Sequence, residues 1–131
     1  MKVFLSHSSE DAESARRIAA HLVKEGFEVW NAEEEIQPGD NWAEVLGEAL
    51  ESSDAMVVLL SPAAVRSSWV QRDIDYALQS RDCAHRLIPV LVEQTADVPW
   101  ILRRMQWIDL QPEPVEGLKR IVDVLRSVPA A

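Results

Sequence analysis

Cysteine is nearly absent from this chain of 131 residues, because Cys83 is the only one. A single cysteine excludes an intrachain disulfide and any site built from several thiolates, and such low usage is typical of a reducing compartment. The chain also lacks an apolar run near the ~20 residues that span a bilayer, and no signal-peptide pattern precedes the first strand-like segment. We therefore expect a cytoplasmic protein without direct membrane contact.

Basic residues are scarce as well. Thirteen Lys and Arg stand against 22 Asp and Glu, which gives a formal charge of -9. Nucleic acids and anionic membranes select basic surfaces, whereas the basic residues here form short pairs such as Arg16-Arg17 and Arg103-Arg104 and no longer run. We therefore expect no nucleic-acid partner.

Glycine is missing where a phosphate-binding loop would need it. The first strand-like segment is followed by Ser6-His7-Ser8-Ser9-Glu10-Asp11, which leaves the backbone no glycine with which to approach a phosphate. A P-loop, a dinucleotide fingerprint and a flavin phosphate loop are therefore all disfavoured.

Metal-binding patterns are also missing. A phospho-acceptor receiver domain would place acidic residues at the ends of the first and third strands, where this chain has Ser6-His7 and Ser61-Pro62. The three histidines are dispersed along the chain without metal-ligand spacing. We therefore predict neither a metal site nor a bound cofactor.

Short apolar segments alternate with longer amphipathic ones along the whole chain. Five segments read as buried strands: "KVFLS" (2–6), "FEVW" (27–30), "AMVVLL" (55–60), "RLIPVLV" (86–92) and "QWIDL" (106–110). Helical patterns follow them over 9–26, from Asn41 through Leu50, and over 63–80, 98–105 and 114–128. This alternation predicts one α/β domain over 1–131, a flavodoxin-like three-layer fold with a five-stranded parallel sheet and helices on both faces.

Polar residues mark the ends of the predicted elements. Ser9 is placed to cap the first helix at its start, Gly26 to end it, and Asn41 with Glu44 to cap the second. A polar loop with a Pro-Gly turn spans 31–41. In a parallel sheet of this kind, ligands bind outside the carboxyl ends of the strands. The function should therefore be sought at "SHSSED", "WNAEEE", "LLSPAA" and "VEQTAD".

One acidic residue lies on the wrong face of its helix. At 100° per residue, the apolar side chains of "SSWVQRDIDYAL" (67–78) share one broad face, and Asp73 falls near its middle. An unpaired carboxylate is costly in such a place. Asp73 is therefore either a carboxylate that faces a pocket or one that pairs locally, for example with a loop N–H or with Arg66.

These segments, in this order, resemble a Toll/interleukin-1 receptor (TIR) domain of the bacterial type. The resemblance rests on "VFLSHSSED", on "GFEVWNAEEEIQPGDNW" with its mobile loop, and on "ALESSDAMVVLLSPAAVRSSWVQRDIDYAL". It also includes "RLIPVLV" and "WIDL", so that it covers nearly the whole chain.

The resemblance implies one of two functions. Many TIR domains cleave the nicotinamide–ribose bond of NAD⁺ upon self-association, often in defence or cell-death signalling, and others act only as scaffolds that bind further TIR domains. In the enzymes the essential acid is a glutamate four residues after the helix tryptophan. That tryptophan is Trp69 here, and position 73 holds Asp. The missing methylene removes about 1.5 Å of reach, which leaves an active, slow or inactive site open.

The resemblance gives position 73 its role, and the remaining candidate residues follow from their places at the strand ends and beside the Pro-Gly loop. Asp73 is the candidate catalytic residue, and NAD⁺ would be a substrate. The candidate substrate-binding residues are Ser6, His7 and Ser8 at the end of the first strand, Trp30 or Trp42 as a stacking partner for a base, and Trp69 as a support beneath the site. For Trp30 and Trp42 the alternative is packing in the core or at the start of a helix. Homotypic contacts with other TIR domains, in a homo-oligomer or filament, are expected through the loop residues Ile36, Pro38, Gly39 and Asp40.

Overall fold

The sheet is five-stranded and entirely parallel. The computed structural model describes residues 1–31, 39, 41–79, 87–95, 98, 107–110 and 114–127. Its strands are β1 (Lys2–Ser6), β2 (Glu28–Asn31), β3 (Ala55–Leu60), β4 (Leu87–Leu91) and β5 (Ile108–Asp109). They lie in the order β2-β1-β3-β4-β5, which is the flavodoxin-like order. The predicted fold class is confirmed, and the strand ends shift by only one or two residues.

Helices connect the strands on both faces of the sheet. The described helices are α1 (Ala12–Lys24), α2 (Trp42–Ser52), α3 (Pro62–Arg66), α4 (Ser68–Gln79) and α5 (Pro114–Ser127). The helix predicted over 98–105 lies almost entirely outside the described residues. No helix in the described part of the chain is both long and apolar enough to span a membrane.

The alternation of side chains along the strands separates two cores. Val3 and Leu5 of β1 point toward α1 and α5, whereas Phe4, between them, points toward α2 and α4. Strand β3 is buried along its whole length because both of its faces are covered. This two-sided burial is the physical reason why the strands read as continuous apolar runs in the sequence.

The predicted helix ends are partly confirmed. Gly26 follows the end of α1 with φ +95°, the left-handed conformation that glycine adopts most easily. The Asn41 side chain accepts a hydrogen bond from the Glu44 amide at 3.3 Å and so caps α2. The prediction for Ser9 is wrong, because Ser9–Asp11 forms a separate turn of 3₁₀ helix and α1 begins only at Ala12.

The helix predicted over 63–80 is two helices. Ser67 has an extended backbone (φ -83°, ψ 117°) that ends α3, and its hydroxyl accepts a hydrogen bond from the Val70 amide at 3.3 Å. Apolar periodicity continues through this break, which is why the sequence pattern indicates a single helix. The break gives α4, the helix that carries Asp73, its own direction.

The close approach of α5 to β5 yields a stability prediction. A Cβ atom at buried Gly117 would lie 3.1 Å from the Leu110 Cα and would overlap the Leu110 side chain. Because the backbone of Leu110 cannot move away cheaply, Gly117→Ala should destabilise the fold by about 1–3 kcal/mol despite the better helix propensity of alanine. Urea unfolding measures this difference.

Gly47 of α2 is the matched control for Gly117. A Cβ atom there would meet the outer end of the Tyr76 side chain, with the hydroxyl oxygen at 2.6 Å and Cζ at 3.2 Å, and this side chain can rotate away. We therefore expect Gly47→Ala to be close to neutral. Equal stability of the two variants would contradict the account of helix packing against β5.

Candidate active site

Polar side chains collect where β1 and β3 end. The helix after β1 packs on one face of the sheet and the helices after β3 pack on the other, so that a crevice forms between the two strand ends. Seven buried polar residues stand in this region: Ser6, His7, Ser8, Asp11, Asn31, Ser61 and Asp73. The structure therefore brings together three of the predicted substrate-binding residues and the predicted catalytic residue.

Asp73 is fully enclosed, with 1% of its surface exposed. The Ser6 hydroxyl donates a hydrogen bond of 2.6 Å to Asp73 Oδ2, a short bond of the kind formed with a charged acceptor. No ion pair joins Asp73 to Arg66, which is exposed. Of the two local partners considered from the sequence, the arginine is therefore excluded.

The second carboxylate oxygen of Asp73 is the unusual atom of the site. Asp73 Oδ1 is buried without a hydrogen-bond partner among the described residues. Burial raises the pKa of Asp73 from 3.8 to about 7, although the hydrogen bond from Ser6 and the charge of His7 both lower it. An acid of this kind is present in both protonation states near neutral pH, and its buried charge is costly.

His7 is held rigidly beside Asp73. Its Nδ1 donates to the Ser8 carbonyl oxygen at 2.7 Å, since a carbonyl can only accept, and its Nε2 lies 3.0 Å from Asn31 Oδ1. Asn31 is buried at the end of β2. Asn31 is not among the predicted site residues, although it lies in "WNAEEE", one of the strand ends at which a ligand is expected.

Asp11 is a second buried carboxylate of the site, and it is not among the predicted site residues. Asp11 Oδ2 accepts hydrogen bonds from the Ser8 hydroxyl at 3.2 Å and from the Ser61 hydroxyl in a still shorter contact. The Ser61 hydroxyl in turn accepts a hydrogen bond from the Ala64 amide at 3.0 Å and so caps α3. This cluster, which we call the Asp11 clamp, comprises Ser8, Asp11 and Ser61.

A polar cleft opens beside the Asp11 clamp. It has a volume of about 270 Å³ and is lined by Ser8, Ser9, Glu10, Ala63, Arg66 and Ser67. Arg66 is the basic residue among these lining residues. In the part of the chain that the structure describes, no three His, Cys, Asp or Glu side chains are grouped so that they could hold a metal ion.

The predicted aromatic residues have different environments. The Trp30 ring stacks on Phe4 with 5.0 Å between centroids and an angle of 26°, and it remains partly exposed. The contact with Phe4 is consistent with packing in the core. Part of the Trp30 side chain is exposed, and its stacking on a base stays a prediction. Trp42 begins α2 and Trp69 lies in the first turn of α4, but their side chains lie outside the described part of the structure.

The predicted interaction loop is described at one residue only. Gly39 is exposed and has φ +93°, the conformation expected after proline in a Pro-Gly turn. Ile36, Pro38 and Asp40 lie outside the described residues. The role of this loop in contacts with other TIR domains therefore stays a prediction.

The family model of the TIR domain matches residues 3–122 of the chain. The chain belongs to the TIR domain family. The match spans the sheet, the site around Asp73 and most of α5, so that the resemblance noted in the sequence is confirmed across nearly the whole chain.

Two bacterial relatives carry enzyme names. The chain is 30% identical over 96 residues to the 2′ cyclic ADP-D-ribose synthase BtTIR of Bacteroides thetaiotaomicron, covering 72% of this chain and 33% of the relative. It is 29% identical over 90 residues to the NAD(+) hydrolase PdTIR of Paracoccus denitrificans, covering 67% of this chain and 30% of the relative. The chain thus spans about a third of the length of these relatives.

Solved structures support the same fold. The TIR domain of the Toll-related receptor TRR-2 from Hydra magnipapillata superposes with a TM-score of 0.81 at 22% identity, covering 95% of this chain and 98% of that one. At this identity the likeness speaks for the fold alone. The TIR–STING receptor of C. gigas gives a TM-score of 0.78 at 26% identity, covering 94% of this chain and 38% of that one.

Proposed function

We propose that this TIR domain cleaves the nicotinamide–ribose bond of NAD⁺, with Asp73 as the catalytic carboxylate. The observation that carries the proposal is the buried Asp73 Oδ1 atom, which has no partner among the described residues although its neighbour Oδ2 is bound by Ser6. A ribose hydroxyl is a donor that would satisfy this oxygen. The names of the bacterial relatives support the same substrate.

The chemistry suits a single carboxylate. Nicotinamide leaves as a neutral molecule that takes the electron pair of the C1′–N bond, so that no general acid is needed. The ribose ring then carries an oxocarbenium-like positive charge, which a nearby negative charge stabilises most strongly where water is excluded. The complete burial of Asp73 supplies that exclusion.

The raised pKa of Asp73 suits a second task. Once the C1′–N bond has broken, water or a hydroxyl of the same substrate attacks C1′ and loses a proton. Water gives ADP-ribose, and an internal hydroxyl gives a cyclic product. A carboxylate with a pKa of about 7 accepts that proton more readily than an ordinary aspartate, because its basicity is matched to neutral pH.

The direct test follows nicotinamide release from NAD⁺ at high protein concentration. We expect release by the wild-type chain and only background release by Asp73→Ala. Asp75→Ala is the matched control, because Asp75 lies on the same helix but is exposed, and it should behave as the wild type. Equal background rates in all three proteins would remove the enzyme proposal and leave the alternative of a non-catalytic TIR scaffold.

A third variant, Asp73→Glu, reports how well the site is fitted to aspartate. Asp73→Glu adds a methylene inside a fully buried space, next to the 2.6 Å hydrogen bond with Ser6. A displacement of ~1 Å can cost about 100-fold in rate. A slower Asp73→Glu would mean that the site has adapted to the shorter acid, and a faster one would mark the natural chain as a weakened enzyme.

Arg66 yields a prediction about substrate binding. It lines the cleft beside Ser8, and no ion pair occupies it among the described residues. We propose that it binds the diphosphate of NAD⁺, since the chain otherwise carries an excess of negative charge. Arg66→Ala should raise KM for NAD⁺ about tenfold and leave kcat within about twofold, because a contact made equally in ground and transition states changes KM alone.

The control for Arg66 is Arg17→Ala, which removes an exposed arginine of α1 that pairs with Glu13 at 3.1 Å. It should leave both kinetic constants unchanged. A fall in kcat with constant KM for Arg66→Ala would contradict the diphosphate assignment.

We further propose that self-association is required for turnover and that the chain serves in defence or cell-death signalling. The support is the resemblance to enzymes of the family, in which the mobile loop of one copy completes the active site of the next. The rate per chain should therefore rise with protein concentration. A rate per chain that is constant over a hundredfold range of concentration would contradict this requirement without touching the assignment of Asp73.

A further inference from the structure

We infer that Asp11 is a positioning residue of this site: it fixes the end of β1 to the start of α3 and thereby sets the distance between Ser6 and Asp73. The inference rests on the proposed function for its activity readout. The side chain of Asp11 contacts the hydroxyls of Ser8 and Ser61 and not Asp73, so that its effect would pass through the two strand ends to Ser6.

Strand β1 ends at Ser6, the residue whose hydroxyl donates a hydrogen bond to Asp73. The β1–β3 pairing ends with Ser6 opposite Val58, and the chain leaves the sheet directly afterwards. Ser8 lies beyond the strand, where its carbonyl oxygen accepts hydrogen bonds from the Asp11 amide at 3.0 Å and from His7 Nδ1 at 2.7 Å. The Asp11 clamp adds a side-chain link between the two strand ends, since Asp11 Oδ2 accepts a hydrogen bond from the Ser8 hydroxyl on the β1 side and one from the Ser61 hydroxyl on the β3 side.

The Asp11 clamp is also linked to Asp73, the acceptor of the hydrogen bond from Ser6. Ser61 both donates to Asp11 and accepts from the Ala64 amide, which places the first turn of α3. α3 leads through Ser67 into α4, the helix that carries Asp73. Ser6 and Asp73, 67 positions apart in sequence, are thus anchored through one carboxylate that is itself buried.

The geometry of the clamp provides a matched pair of variants. Both hydroxyls donate to the same oxygen, Oδ2, so that the charge and the other oxygen are not needed for the two bonds. Asparagine offers one oxygen in the same place, whereas alanine offers none. Asp11→Asn should therefore rescue what Asp11→Ala loses.

The kinetic test measures nicotinamide release from NAD⁺ by these variants. Asp11→Ala should lower kcat about tenfold with KM within about twofold, because a misplaced catalytic group is felt in the transition state, and Asp11→Asn should restore most of the rate. In a Ser6→Ala background, Asp11→Ala should add less than about twofold, since residues that act through one another are not additive. Independent, multiplying losses would overturn the inference.

A folding measurement decides the inference even if the chain releases no nicotinamide. The folding equilibrium constants of the wild type, Asp11→Ala, Ser6→Ala and the double variant come from urea titrations. We expect the loss in the double variant to be at least about threefold smaller than the product of the two single losses. Losses that multiply would contradict the positioning role, whereas absent turnover with coupled losses would remove only the proposed function.

Discussion

Replacing Asp73 by asparagine is expected to stabilise the folded chain by about 4 kcal/mol at pH 8, which follows from a folded-state pKa of about 7 against 3.8. The folded state penalises the ionised form of this buried carboxyl, so that the contribution of Asp73 to stability falls as the pH rises from about 4 to 7 and is lowest above pH 7. Asparagine carries no charge, retains an acceptor for Ser6 and escapes this penalty. Near pH 4, where Asp73 is protonated, the two proteins should be equally stable.

Urea titrations of the two proteins at pH 4 and pH 8 measure this difference, and pairing them cancels the titration of all other groups. Asp75→Asn is the control, because this exposed position should change stability little at either pH. A stability gain that is independent of pH, or a loss at pH 8, would show that the negative charge of Asp73 is not held at a cost. Comparing Asp73→Asn with the wild type thus distinguishes a carboxylate that lowers stability, as a catalytic group can, from one that stabilises the fold.

The pH dependence of turnover is the second large effect. Because the carboxylate is the active form, kcat/KM for NAD⁺ should fall as Asp73 becomes protonated, tenfold for each pH unit below about 7. Between pH 8 and pH 5 the expected loss is about 100-fold. The ratio kcat/KM is the correct quantity, since it reports the free enzyme, whereas the positive charge of bound NAD⁺ would lower the pKa of Asp73 in the complex.

The control for the pH profile is Ser6→Ala, which removes a hydrogen bond that lowers the pKa of Asp73. Its midpoint should move to higher pH than that of the wild type. A wild-type profile that stays flat down to pH 5 would mean that an ordinary carboxylate, or none, acts in the reaction.

The fold could be predicted from the sequence because it depends on local patterns. Strands buried on both faces appear as continuous apolar runs, and the helices between them show one apolar stripe. Gly26 and Asn41 mark helix ends through chemistry that acts within a few residues. The break at Ser67 escaped the analysis, because the apolar period continues unchanged through it and only the extended backbone of one residue separates α3 from α4.

Only those features of the site that depend on a single helix or a single strand could be predicted from the sequence. The helical phase places Asp73 on the buried face, and the polar end of β1 identifies Ser6, His7 and Ser8. The link between Asp11 and Ser61 joins residues 50 positions apart, and no local pattern distinguishes Asp11 from an ordinary acidic residue near a helix start. Hydrogen bonds between residues that follow different strands depend on the pairing of β1 with β3. No local sequence pattern predicts which residues this pairing brings together.

The most direct test of the central claim is the rate of nicotinamide release from NAD⁺ by Asp73→Asn at pH 8, measured beside the wild type. Asparagine keeps the shape of the side chain and an acceptor for Ser6 but removes the negative charge. The account predicts a folded protein whose rate is at least about 100-fold below that of the wild type. A wild-type rate in Asp73→Asn would contradict it, because the charge of Asp73 would then have no part in breaking the bond.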